Sequence, residues 1–573
     1  MKRYLSLIIV LSIIWIFSCT EYLDYTPRGT ISTEQLNSPQ AIDGLVTAAY
    51  ASLGNDDREW SFTHMWMWGS IRAEDSYKGG GGVSNRTEWH EFETFSTLRV
   101  DNPYLNMVWT AIYEGIGRAN EALRRMENID EVMYPEKKQR QAECAFIRGH
   151  FHFLLKLIFK YPVWVDHTIE KSEIKNLTNR EYTSDQFWDK IAADFQFAID
   201  NLPETQEQIG RANKIAAWAY LAKVRLYQAY EQDENNNVVS INGTRLSEVV
   251  TLCDFVISSG KYGLFDDFGK NFLWEYENGI ESIFAIQYSL DDGVLDGRVN
   301  RSSWMNFPMN AEYGCCWFNV PSQNLVNSYK TDINGIPMFE TYNDTEMKNP
   351  EDFQLNTVDP RLDHTVGIPT HPYKYVPTFI YETSWARVPE VYGYFSTMKE
   401  VDKPDCPCLK KRGAYIGSSK NIDILRFDDV LLMKAEALIE LGSEAEALPI
   451  INQIRTRAKN STDWLKYEDG TYASNYKIEN YIDGENCSWT QEFAREALRM
   501  ERKLEFAMEG YRFFDLVRWG IAAETLNEYF AIEKIRHEFL KDASFQKGRD
   551  EYMPIPQAQI DLVEGKYDQN NGW

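Results

Sequence analysis

Two adjoining helical stretches separated by a short break constrain this chain more than any other feature. In DDVLLMKAEALIEL, from Asp428 to Leu441, Val430, Met433, Ala437 and Leu441 share one face, while Leu431, Ala435 and Leu438 form a second. A helix that is apolar on two faces needs neighbours on both. Gly442 ends this helix, and Ser443 with Glu446 has the spacing of a capping box for the next. That next helix, to about Ala458, aligns Ala447, Ile451, Ile454 and Ala458, and Pro449 inside it predicts a bend near its start. Small residues at the crossing points and a short turn predict a helix hairpin of tetratricopeptide type, whose repeats stack because none buries its apolar face alone.

The two-faced pattern recurs in KIAAWAYLAKVRLYQAY, from Lys214 to Tyr230. Ile215, Ala219, Ala222, Leu226 and Ala229 lie on one stripe there, with Trp218, Leu221 and Val224 beside it. Ala41 to Leu53, Tyr104 to Met126, Lys138 to Phe159 and Ser184 to Leu202 are further helical stretches. Between about Phe255 and Asn421 the helical period is lost, and short runs such as SIFAIQYS alternate with turn-rich DDGVLDG, NDTEMKNP, HPYKYVP and DKPDCPC. The expected fold is mostly α: tetratricopeptide-like hairpins form a scaffold, and a long, irregular, loop-rich excursion carries a few short strands. The expected divisions are 1–18 for a leader, 19–254 for a first helical part, 255–420 for the excursion and 421–573 for a second helical part. At 573 residues the chain exceeds the size at which one core stops growing, about 250–300 residues, as a repetitive build requires.

The amino terminus sets the compartment. Lys2 and Arg3 precede an apolar run from Tyr4 to Phe17, closed by Ser18-Cys19, a secretory pattern too short for a comfortable membrane span. Ile16, Phe17 and Ser18 before the cysteine resemble a bacterial lipoprotein box, in which Cys19 becomes the lipidated first residue, stably anchored by more than one acyl chain. A formal net charge of −26 repels phosphate backbones and anionic membrane surfaces, so nucleic acid is not an expected partner. Seven cysteines follow Cys19, so at least one stays unpaired within the chain. Cys315-Cys316 and Cys406-Pro407-Cys408 lack the spacings of zinc sites and no histidine cluster accompanies them, so no metal or cofactor is expected.

Several stretches together resemble the RagB/SusD family of surface lipoproteins. EYLDYTP follows Cys19, ISTEQLNSPQAIDGLVTAAYASL resembles the family's first helix, and VWTAIYEGIGRANEAL its Trp, Tyr and Arg-Ala-Asn helix. AECAFIRGHFHFLLKLIFKYPVWV, GRANKIAAWAYLAKVRLY, DPRLDHTV, ILRFDDVLLMKAEALIELG with INQIRTRA, ERKLEFAMEGYRFFDLVRWG and YMPIPQAQIDLVEGKYDQNNGW follow in the family's order. The resemblance implies a non-catalytic protein held at the outer membrane by a lipid, exposed on the cell surface. It implies binding of oligosaccharides or polysaccharides, or of peptides in some relatives, and delivery to a TonB-dependent (SusC-like) transporter. Glu21 and Asp24 resemble the family's acidic export segment.

Two constellations compete as sites. Arg502, Glu505, Glu509, Arg512 and Asp515 fall on one stripe of a late helix, with Glu505 and Glu509 one turn apart at roughly 5–6 Å, close to the carboxyl separation of a retaining glycosidase. A glycosidase needs one carboxyl to hold a proton, whereas Arg502 and Arg512 favour ionisation of both glutamates. The opposite stripe, Phe493, Ala497, Met500, Leu504, Ala507, Tyr511 and Phe514, is apolar, so this helix is expected to be a frame rather than a glycoside hydrolase site. The glycine run Gly79–Gly82 lacks a phosphate-loop ending and is expected to be a mobile loop, and Asp233–Asn237 is expected to be a solvated connector rather than a calcium loop. Aromatic residues in loops suit a sugar, whose CH face stacks on a ring while its hydroxyls need fixed polar partners. The candidate ligand residues are Trp89, Trp304, Tyr313, Trp317 and Phe318, with Arg72, Asp75, Tyr77 and Asn319 supplying polarity.

Overall fold

The structure is a computed structural model that describes residues 38–54, 64–290, 292–293 and 297–573. The leader, Cys19, Glu21 and Asp24 lie outside the described residues. Helix accounts for 45% and strand for 11%, which makes the fold mostly α.

The first helices are α1 (Pro39–Gly54), α2 (Thr87–Thr94), α3 (Pro103–Glu127), α4 (Lys137–Phe159), α5 (Ser184–Asn201), α6 (Lys214–Ala229) and α7 (Gly243–Ser258). Asn102 caps α3 from the residue before Pro103, Thr183 with Gln186 closes a full capping box on α5, and Asn213 and Asn242 cap α6 and α7. Nearly every side chain of α6 is buried, as its two apolar faces require. The carboxyl-terminal helices are α8 (Phe427–Glu440), α9 (Glu444–Asn460), α10 (Gln491–Glu505), α11 (Arg512–Arg518) and α12 (Ala522–Arg536). Ser443 stands at the amino end of α9 without a side-chain cap bond, so the expected capping box is not formed there.

Packing is sequential: α1 on α3, α3 on α4, and so on to α7, which packs on α8, while α8 packs on α9 and α10. The stack therefore runs straight from α7 to α8 although residues 259–426 separate them in sequence. Those residues leave the stack and return, and among the described residues there no helix is longer than six residues.

Every sheet among the described residues has two strands. Four pairings position the rest, and their first strands are β1 (Ser76–Gly79), the hairpin of β2 (Tyr230–Gln232) and β3 (Val238–Ile241), and β4 (Ser282–Ile286). Antiparallel to β1 runs β5 (Phe318–Pro321), a second hairpin joins β6 (Leu409–Arg412) to β7 (Tyr415–Ser418), and β8 (Ile422–Arg426) lies antiparallel to β4 just before α8. The Asp233–Asn237 stretch is the turn of the β2–β3 hairpin, with Asp233 accepting the Asn235 and Asn237 N–H groups at 2.9 Å.

Candidate functional site

The β1–β5 ladder brings most of the candidate ligand residues together, and it does so in the interior. Tyr77 pairs with Val320 and Gly79 with Phe318, which joins the stretch after α1 to the excursion. The glycine run is packed rather than mobile: a Cβ on Gly80 (φ 76°) would sit 2.4 Å from the Phe318 ring, and Lys78 Nζ donates to the carbonyls of Gly79, Gly82 and Asn85. Trp89 is enclosed by Trp66, Tyr104 and Phe318, with ring centroids 5.1–5.5 Å away. Trp317 donates from Nε1 to the Phe395 carbonyl at 3.0 Å, Tyr313 from its hydroxyl to the Asp402 carbonyl at 2.6 Å, and Asn319 from Nδ2 to Glu400 at 3.0 Å. Tyr77 donates to Glu533 at 2.5 Å. Arg72 lies 3.9 Å from the Phe513 ring centroid and donates to the Asp550 carbonyl, and burial brings its pKa down to about 9. Asp75 is fully covered, and burial, with Glu74 beside it, pushes its carboxyl up to about 7. Eight of the nine therefore brace the interior, and Trp304, at 7% exposed, is the one nearest the surface.

The late helix is two helices. It breaks after Glu505 through Met508 (φ 68°) and Gly510 (φ 81°), and α11 starts at Arg512. The break is fixed by close approach: a Cβ on Gly510 would fall 2.6 Å from the Met65 carbonyl carbon, while Asp75 accepts the Met508 N–H and Ser70 the Gly510 N–H. Glu505 and Glu509 consequently do not share one helical stripe, and their positive partners differ from those the spacing suggests. Arg502 pairs with Asp515 at 2.8 Å and Asp429 at 3.0 Å, and Arg512 with Glu74 at 2.6 Å. Glu505 instead meets Arg361 Nη1 at 2.8 Å and Arg457 Nη2, and Glu509 meets Lys399 at 2.8 Å and Arg426. Burial alone would raise the Glu505 carboxyl, but Arg457 and Arg361 override it and hold it at about 2; Arg426 and Lys399 likewise lower Glu509 against its burial. Neither carboxyl carries a proton to donate at neutral pH.

Two other clusters resemble ion sites only in outline. Glu281, Asp428 and Glu505 converge within 4.8 Å of one another, but Arg457 binds both glutamates and Arg426 binds Asp428 at 2.8 Å. Cys406 and Cys408 lie beside Asp402, yet they are joined in a disulfide and offer no thiolate. Cys315 and Cys316 form a second disulfide, and among the described residues Cys144, Cys253 and Cys487 are free.

At the surface end of this region Trp304 stacks on Tyr415, with ring centroids 4.6 Å apart and planes 19° from parallel. Tyr415 opens β7 and is half-buried, so one face of its ring is backed by Trp304. The Arg301 guanidinium sits 5.6 Å from the Trp304 ring centroid. Trp304 Nε1 and Arg301 Nε are both buried and have no hydrogen-bond partner. Tyr415 is not among the sequence candidates; its only signal is the turn in KKRGAYIG, too short to separate a presented ring from a packed one.

The chain folds as a stacked tetratricopeptide-type scaffold with an excursion that carries an aromatic edge, and arginine neutralises its buried carboxylates. The chain belongs to the SusD family: the model described as "SusD family" matches residues 280–573, and the one described as "Starch-binding associating with outer membrane" matches residues 21–226. SusD-like protein P38 of Formosa agariphila is 26% identical over 552 residues, covering 92% of this chain and 94% of that protein. The crystal structure of a SusD homolog from Bacteroides thetaiotaomicron superposes with a TM-score of 0.69 at 20% identity, over 94% of this chain and 98% of the other. Surface glycan-binding protein A from the same organism, in complex with laminarihexaose, gives 0.65 at 20% identity, over 93% and 99%.

Proposed function

We propose that the protein is a lipid-anchored, outer-membrane, cell-surface glycan-binding protein that captures oligosaccharide or polysaccharide and delivers it to a SusC-like TonB-dependent transporter. Membership of the SusD family carries this proposal, supported by the shared fold of a relative whose structure holds laminarihexaose. The leader ending in Ser18-Cys19 supports the anchor. Tyr415, half-buried and backed by Trp304, is the proposed sugar platform: its other ring face would take the CH groups of a pyranose, with the Arg301 guanidinium beside the stack. Of the nine candidate residues Trp304 keeps a direct role in this proposal, and the other eight are buried in the interior.

Peptide capture is the competing use of such a scaffold. A glycan array probed with the protein, run beside a peptide array, separates the two. Retention on glycans with none on peptides supports the proposal, and the reverse pattern replaces it with peptide capture.

A further inference from the structure

A cavity of about 360 Å³ lies away from the Trp304–Tyr415 edge, inside the helical stack. It opens to solvent past Val239 and falls within the range of small-molecule sites, about 300–1,000 Å³. Its walls come from five places that meet only in the folded chain: the ends of α4 (Lys156) and α6 (Tyr227), the start of α5 (Asp185, Trp188), the β2–β3 hairpin, and α11 with Tyr552.

Rings line much of it. Trp188 and Tyr227 stand 6.3 Å apart and tilted 42°, with Tyr230, Phe514 and Tyr552 completing the wall. Between the rings are polar groups of both signs. Lys156 is almost fully buried and donates to Ser184 Oγ at 2.8 Å and the Lys160 carbonyl at 2.6 Å, both neutral, and no ion pair to Lys156 occurs among the described residues. Arg518 is 97% covered, and although Glu436 and Asp515 take its terminal nitrogens, its Nε has no hydrogen-bond partner. On the acceptor side Asp185 takes only the Gln228 amide from within the cavity wall, through Oδ1 at 2.7 Å, and Glu231 stands on the rim. At the mouth Val239 is 62% exposed, an apolar side chain on a hairpin edge that gains nothing from water.

We infer that this cavity is a second carbohydrate site, sized for one or two neutral sugar rings and independent of the surface platform. Arg518 is already paired with Glu436 and Asp515, and burial holds the Lys156 amine well below its usual pKa, so the lining offers no uncompensated cation to an anionic ligand. Facing rings with both donors and acceptors between them match a pyranose, whose CH faces stack while its hydroxyls both give and accept hydrogen bonds. The choice of sugar as the ligand class rests on the glycan-binding proposal above; the cavity and its lining do not.

The test is calorimetric titration of the mature protein with a panel of neutral mono- and disaccharides (glucose, galactose, mannose, xylose and their α- and β-linked dimers), paired with crystals soaked in the same sugars. Trp188→Ala, at a half-buried wall position, and Val239→Trp, which plugs the mouth from an exposed position, should each weaken short-sugar binding at least about tenfold. Val132→Ala, at an exposed position outside both sites, should leave that binding unchanged. The inference is overturned if no sugar of the panel binds, if both cavity variants bind as wild type does, or if soaked crystals show only water in the cavity. Polysaccharide retention separates its failure from that of the surface proposal: retention without short-sugar binding removes the cavity site alone, and short-sugar binding without retention removes the surface platform alone.

Discussion

Arg361 and Glu505 face each other at 2.8 Å with both side chains fully buried, although 144 residues separate them in sequence. The same guanidinium reaches Asp359 at 2.7 Å and Glu501 at 2.7 Å, so one arginine of the excursion is clasped by its own turn and by α10. This clasp ties the excursion to the helical stack, and it explains why a carboxylate pair that resembles catalytic machinery is a frame. Removing one partner of such a buried pair leaves an uncompensated charge. Glu505→Gln should therefore lower unfolding stability by about 3 kcal/mol, measured by denaturant titration, with no hydrolytic activity present in either protein.

Asp75 makes the stability of the fold depend on pH. Its carboxyl is pushed up to about 7 by burial and by Glu74, whereas an unfolded aspartate titrates near 4. Between those values the folded chain holds a proton that the unfolded chain has released, so this group makes the protein less stable as pH rises from about 4 to 7, and the loss then stays constant. Asp75→Asn mimics the protonated acid. It should match wild type near pH 4 and exceed it by roughly 2–4 kcal/mol at pH 8 in unfolding titrations at both pH values. Equal stability of the two proteins at pH 8 would show that Asp75 is ionised without penalty.

Gly510 should tolerate no side chain. Its φ of 81° is disfavoured for other residues and its Cβ position is occupied by the Met65 backbone, so Gly510→Ala should cost more than about 2 kcal/mol and lower the melting temperature. The effect should appear without loss of glycan selectivity, because Gly510 positions the α10–α11 turn rather than the Tyr415 edge.

Trp317 and Tyr415 should behave oppositely when truncated. Trp317 is fully buried with its Nε1 bonded to Phe395, so Trp317→Ala should destabilise by about 3–5 kcal/mol. Tyr415→Ala should leave the melting temperature within a few degrees of wild type, since its ring is backed on one face only.

These contrasts show what local sequence carries. Helices α1, α3 to α6, α8 and α9 are legible because each repeats its apolar positions at helical spacing over three turns or more, and β4 because SIFAIQYS is a short apolar run between turns. Helix α7 escapes notice although its stripe is as strong as that of α6, and the polar α12 has almost no stripe to read. Tyr313 and Trp317 lie in loops, where a ring can be presented or packed, and Trp89 lies on α2; the pairing of Ser76 with Pro321 across the chain packs this region, and no local pattern announces a ladder between such distant strands. The partners of Glu505 are hidden for the same reason: Arg361 and Arg457 lie 144 and 48 residues away, whereas the nearby Arg502 and Arg512 serve other carboxylates.

The central claim is that this chain holds glycan at an aromatic edge built on a non-catalytic frame, and native affinity electrophoresis through polysaccharide gels tests it most directly. Wild type should be retarded by at least one polysaccharide, and Tyr415→Ala should lose that retardation while keeping its melting temperature. Retardation that persists unchanged in Tyr415→Ala and in the double variant Tyr415→Ala, Trp304→Ala would contradict it.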